Sequence, residues 1–244
     1  MFFFTGRALD IMNEQALRKN INVLKTLVSI CLGYRHYGRQ LMDQRITLVR
    51  LMDFRDEVMQ LWGACTRHTL TLKEADHQLR MLEKRLGIMG SRIGNLLEAC
   101  WSVPEQGRRA VSIIRSLRDQ YALNGASAGE LLPDEVYRTV YSDKTVAFAA
   151  LIQLVSSEHN YQGKNDLALS ELQAFYGSLL RAREQRAAAE LACRQSNSAL
   201  TNLLTHPYSG LRVTLAEVKR YMSSVDNLPD TIRERMAKLE AVPL

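Results

Sequence analysis

Five histidines, His36, His68, His77, His159 and His206, are the side chains through which this chain would most readily hold a metal or move a proton near neutral pH. They are widely spaced, and none belongs to an HExxH pair or to a Cys/His zinc spacing. The carboxylate pairs Asp56 with Glu57 and Asp134 with Glu135 are adjacent in sequence. Adjacent residues leave a helix on different sides, the wrong geometry for shared acid and base work. Cys31, Cys65, Cys100 and Cys193 form no CxxC pair, and the first three fall on apolar helical stripes. They read as small buried hydrophobes in a reducing compartment. The string GIMGSRIG at 87–94 lacks the GK[ST] ending and the preceding strand of a phosphate loop. GYRHYG at 33–38 gathers two tyrosines, an arginine and a histidine that could stack on a base. Its paired glycines favour a helix-helix connection with polar aromatics at the rim. Catalysis, cofactor and metal are therefore not expected.

The elements that must position these residues read as helices. Only five prolines and thirteen glycines punctuate 244 residues, and β-branched alternating runs are nearly absent. The fold class expected is all-α: an elongated multi-helix bundle with long coiled-coil-like antiparallel helices. Its organising stretch is a heptad seam, Leu72, Ala75, Leu79, Leu82, Leu86, Met89, Ile93, Leu96 and Cys100, at alternating steps of three and four. Thr71 followed by Glu74 is a capping box that predicts a helix start. Gly87, Gly90 and Gly94 each cost about 1 kcal/mol in a helix interior. Together they predict a shallow groove for close backbone approach. SVPE at 102–105 predicts a new helix directly after Trp101, with Arg108, Arg109, Arg115 and Arg118 mainly on its outer side as contacts for an acidic partner.

Before the seam, Phe2, Phe3 and Phe4 precede a helix expected from near Arg7 and either cap the bundle or anchor the terminus to a membrane or partner. Leu17, Ile21, Leu24, Val28 and Cys31 form one helical stripe, widened by Val23, Leu27 and Ile30. A second helix runs from Leu41 to Cys65, with Arg55 interrupting its apolar face. After the seam, LNGASAGELLPD is the strongest loop signal. It suggests a partition into a basic long-helix hairpin region at 1–121, a loop at 122–133 and a C-terminal helical region at 134–244, packed as one bundle. Pro133 opens a helix that is either bent near Ser142 or broken there. Helices at about Asp166 to Thr205, from Thr214 and from Pro229 complete seven or eight in all.

The first 121 residues carry nineteen Lys plus Arg against twelve acids and the remainder thirteen against fourteen, so the basic excess lies in the first half. The longest apolar charge-free run, Thr145 to Ser157, is too short to cross a bilayer, and MFFFTGR lacks the basic and long apolar regions of a secretory signal. Cytoplasmic location is the expectation. The spacing of Leu51, Val58 and Trp62, with the run from Leu154 through LALSELQ to Arg181 and Arg183, resembles the LemA family of bacterial helical bundles. That family's RR-x-DLIPNLV and YN-x-x-V-x-x-YN segments do not occur in this sequence, so the resemblance assigns no role to any residue. What remains is a non-enzymatic scaffold, adaptor or assembly component whose partners are other proteins, a second copy included. The alternative is a membrane-surface or nucleic-acid-associated protein using the basic half. No helix here carries Arg and Asn at base-contacting spacing.

Overall fold

The computed structural model describes residues 5–38, 46–100, 110–111, 113–114, 117 and 143–243. Among them every regular element is helical: α1 (Thr5–Gly33), α2 (Leu48–Cys100), α3 (Lys144–Ser157), a 3₁₀ turn (Asn165–Leu167), α4 (Leu169–Thr205), α5 (Leu211–Ser223) and α6 (Asp230–Ala237). The chain is an all-α bundle, as its composition requires.

Two compact units form, one from Met1–Leu70 with Leu191–Leu244 and one from Thr71–Glu190. The boundaries fall inside α2 and α4, not at the 122–133 loop, which lies outside the described residues. The physical reason is that α2 and α4 bury apolar residues both before and after those boundaries, so each lends one part to each core.

In the first unit α1 supplies Leu17, Ile21, Leu24, Leu27, Val28, Ile30 and Cys31 to a core completed by Leu51, Val58, Leu200, Leu204, Leu215 and Val218. Each such side chain, fully buried, is worth roughly 1.5–3 kcal/mol of transfer free energy. The chain leaves α1 through a turn at Arg35 to Gly38, where Gly38 has φ 88°, a conformation that favours glycine. The aromatics of GYRHYG are absorbed by packing: Tyr34 is buried, and Tyr37 meets Tyr221 edge-on at 5.4 Å and donates to the Ile46 carbonyl at 2.6 Å.

The second unit has its own core, built from Leu86, Met89, Ile93 and Leu97 of α2, Ile113, Ile114 and Leu117, Phe148 and Leu151 of α3, and Leu172, Phe175 and Leu179 of α4. Phe148 and Phe175 meet edge to face at 5.7 Å. α3 begins at Lys144 because the Asp143 carboxylate accepts the Thr145 N–H.

Two expected helix starts are displaced. Thr71 opens nothing: α2 runs through it without a break for 53 residues. A threonine caps only where the backbone leaves the helix. Here the neighbouring Thr66 and Thr69 hydroxyls instead donate back to the Trp62 and Cys65 carbonyls four residues earlier. Thr214 likewise lies inside α5, which starts at Leu211 after Gly210. A Cβ at Gly210 would sit 2.5 Å from the His206 carbonyl oxygen, so a glycine there lets the chain fold back one turn sooner. Pro229 and Asp230 do stand at the start of α6.

Candidate interaction surface and its polar neighbours

The heptad positions of α2 take different places within the second unit. Leu86, Met89 and Ile93 are fully buried, Leu79, Leu82 and Leu96 pack half-covered against the same core, and Leu72 is half-buried. Leu97 rather than Leu96 holds the buried position. A straight helix drifts by about 20° per heptad against a strict 3.5-residue repeat. Eleven residues after Leu86, that drift has moved the buried stripe on by one position.

The three glycines lie beside this stripe and face Ile114 and Leu117. A Cβ on Gly87 would stand 3.5 Å from the Leu117 carbonyl oxygen, one on Gly90 3.1 Å from Leu117 Cδ1, and one on Gly94 2.8 Å from Ile114 Cδ1. The groove is thus occupied by the chain's own residues. Arg108, Arg109, Arg115 and Arg118, and Phe2, Phe3 and Phe4, lie outside the described residues.

On the opposite side of α2 in the second unit, several described side chains are exposed. Met81 and Ile88, seven residues apart, are each 57% exposed, and His77 and Lys84 stand exposed on the same stripe. Single exposed apolar residues are ordinary. Two in register on one helix, between basic neighbours, make a ridge that another helix can cover.

Several polar groups within each unit are held in hydrogen bonds and ion pairs. Ser196 on α4 lies 3.2 Å from His68 Nδ1 and directs its hydroxyl toward the Ala192 and Cys193 carbonyls at 3.0 and 3.1 Å. A serine has one proton to share among these acceptors, and the His68 tautomer sets which of the two side chains donates to the other. Glu74 and His77 have the helical ligand spacing of three residues but both are exposed. Among the described residues no group of three or more His, Cys, Asp or Glu converges.

In the second unit Arg186 donates to Asp76 at 2.6 Å and lies 3.3 Å from Glu190, while Arg92 reaches Asp166 at 2.6 Å. The hydrogen bond to Asp76 holds the Arg186 guanidinium above its ordinary value. Burial pushes the Cys31 thiol up to about 11, outweighing its hydrogen bond with Tyr37. Cys31, Cys65 and Cys193 are free thiols, the first two buried.

One arrangement escaped the sequence. Asn20, on the buried face of α1, uses its amide on a single distant residue: Nδ2 donates to the Val242 carbonyl at 2.9 Å and Oδ1 accepts the Val242 N–H at 2.7 Å. The signal available was a lone asparagine beside Leu17, Ile21 and Leu24 on an otherwise apolar stripe.

No family model, curated protein or solved structure matches this chain. The reading of its role therefore rests on geometry. What the arrangement offers is helix packing and a main-chain clamp. Among the described residues no helix is long and apolar enough to cross a membrane.

Proposed function

We propose that the protein is a non-enzymatic scaffold or adaptor of the cytoplasm that engages other proteins by helix packing, through the outward ridge of α2. The observation that carries this reading is the pair Met81 and Ile88, 57% exposed each and in register along one helix face. Their flanks, Arg80 and Lys84, are exposed and basic. They suit an amphipathic helix with an acidic margin, from another protein or from a second copy.

The test is the double variant Met81→Glu, Ile88→Glu, followed by circular dichroism, light scattering and co-purification from native cells. Helicity should be retained, since both side chains face solvent. The mass in solution or the set of co-purifying proteins should shrink. An unchanged mass together with unchanged partners removes the ridge as the working surface. Leu86→Asp provides the contrast. It places a carboxylate at a fully buried position and should unfold the second unit rather than release an intact protein from its partners.

A further inference from the structure

Residues 239–243 have no regular secondary structure, yet they are held at fixed points in the first unit. Asn20, 2% exposed, pairs both ends of its amide with the N–H and C=O of Val242. Three residues earlier Lys219 Nζ donates to the Leu239 carbonyl at 2.6 Å, and the Leu239 side chain is buried. Burying an amide is unfavourable unless its donor and acceptor are both used. Here both are used on main-chain atoms, which every residue except proline carries. This is the pairing by which one strand residue recognises its neighbour, made from a side chain. It requires that one residue present its N–H and C=O together, away from any helix. It asks nothing of the side chain at 242. The selective element is the Leu239 side chain three positions before it, which is buried in the first core.

A cavity of about 240 Å³ lies beside the segment and is lined jointly by Ala241, Val242 and Pro243 and by Asn20, Leu204 and Arg212. We infer that this is a binding site for a non-helical peptide segment of a partner protein, with leucine at one position and a non-proline residue three further on. Residues 239–243 occupy it as an internal stand-in that the incoming segment displaces. The occupant's chemistry is argued from the segment already seated, whose contacts at both fixed points are to main-chain oxygen and nitrogen. The inference concerns a different surface from the α2 ridge and does not depend on it.

The experiment uses the full chain and a fluorescein-labelled synthetic peptide, KLEAVPL, the sequence of residues 238–244. Val242→Pro deletes the N–H that Asn20 accepts while leaving Asn20 and Lys219, which hold the segment, in place. Hydrogen exchange read by mass spectrometry should show the Leu239 amide, which donates to the Met236 carbonyl at 3.2 Å, losing protection in this variant. Fluorescence anisotropy should then show the peptide binding Val242→Pro about tenfold more tightly than the unaltered chain, the internal competitor having been weakened. A peptide carrying N-methylvaline at the matching position should lose that gain, because it lacks the same N–H. The inference is overturned if the Leu239 amide stays protected in Val242→Pro, if the released variant binds the peptide no better, or if the N-methylated peptide binds equally well.

Discussion

Asp143 performs two tasks with one carboxylate. Oδ1 accepts the Thr145 N–H at 2.8 Å and so caps α3, and both oxygens accept from Arg183 at 2.8 and 2.7 Å, tying α4 to the start of α3. Burial alone would raise this carboxyl. The bonds from Arg183 and Thr145 outweigh it and hold the group below its ordinary 3.8. A folded-state value below the unfolded one means that the contribution is fully present above about pH 3.8 and is lost as pH falls through the lower folded value. Both partners are about 40% exposed, so solvent screens the pair and its worth is ~0.2–1 kcal/mol. Asp143→Asn keeps a capping oxygen and removes the charge. The variant should melt slightly below the unaltered chain at neutral pH, and the gap should close on acidification as the native carboxylate protonates. A gap that persists unchanged at pH 2 would assign the effect to the cap and not to the ion pair. This residue shows the reach of sequence reading at the finest scale. An aspartate before a helix-forming run is recognisable as a cap, but its pairing with a residue forty positions away is not, since no periodicity links them.

At the scale of the element, the glycines of the long helices divide by what surrounds them. Gly177 in α4 has nothing within 4 Å of an added Cβ. Gly177→Ala should therefore raise stability by about 0.5–1 kcal/mol, the helix-propensity difference, seen as a higher urea midpoint with unchanged slope. Gly94 is the opposite case, because its added Cβ would stand 2.8 Å from the end of Ile114. There the propensity gain of Gly94→Ala is offset by moving a core methyl, and Gly94→Val should destabilise by about 1–3 kcal/mol. Equal gains from alanine at both sites would mean that the Ile114 contact is not tight. The long helices themselves were legible, because stripes such as Leu17, Ile21, Leu24 and Val28 repeat at 3.6 residues whatever they pack against. Helix ends were less so. The Thr71 and Thr214 motifs read the same whether the chain stops there or continues, and only tertiary packing separates the two cases. The glycine triplet announced close approach, but its neighbours, Ile114 and Leu117, belong to a segment no local pattern connects to it.

At the scale of the molecule, two separate cores share two long helices, and the sequence had no means of showing where one ends. The Asn20 and Val242 clamp closes the first unit across 222 positions, a pairing invisible to any window-based reading. The partition matters for how the chain loosens. Leu24 is fully buried in the first core and Leu151 in the second, so either substitution to alanine should cost about 2–5 kcal/mol. If each core is its own cooperative unit, the cost is felt locally before it is felt globally. Leu24→Ala should then speed amide exchange in α1, α5 and α6 more than in α3, and Leu151→Ala should do the reverse. α2 supplies the internal measure, because 48–70 belongs to the first unit and 71–100 to the second. Exchange within this one helix should therefore rise in its first part for Leu24→Ala and in its second for Leu151→Ala. A uniform rise along α2 in both variants would show that its unbroken hydrogen-bond ladder couples the two cores into a single unfolding step.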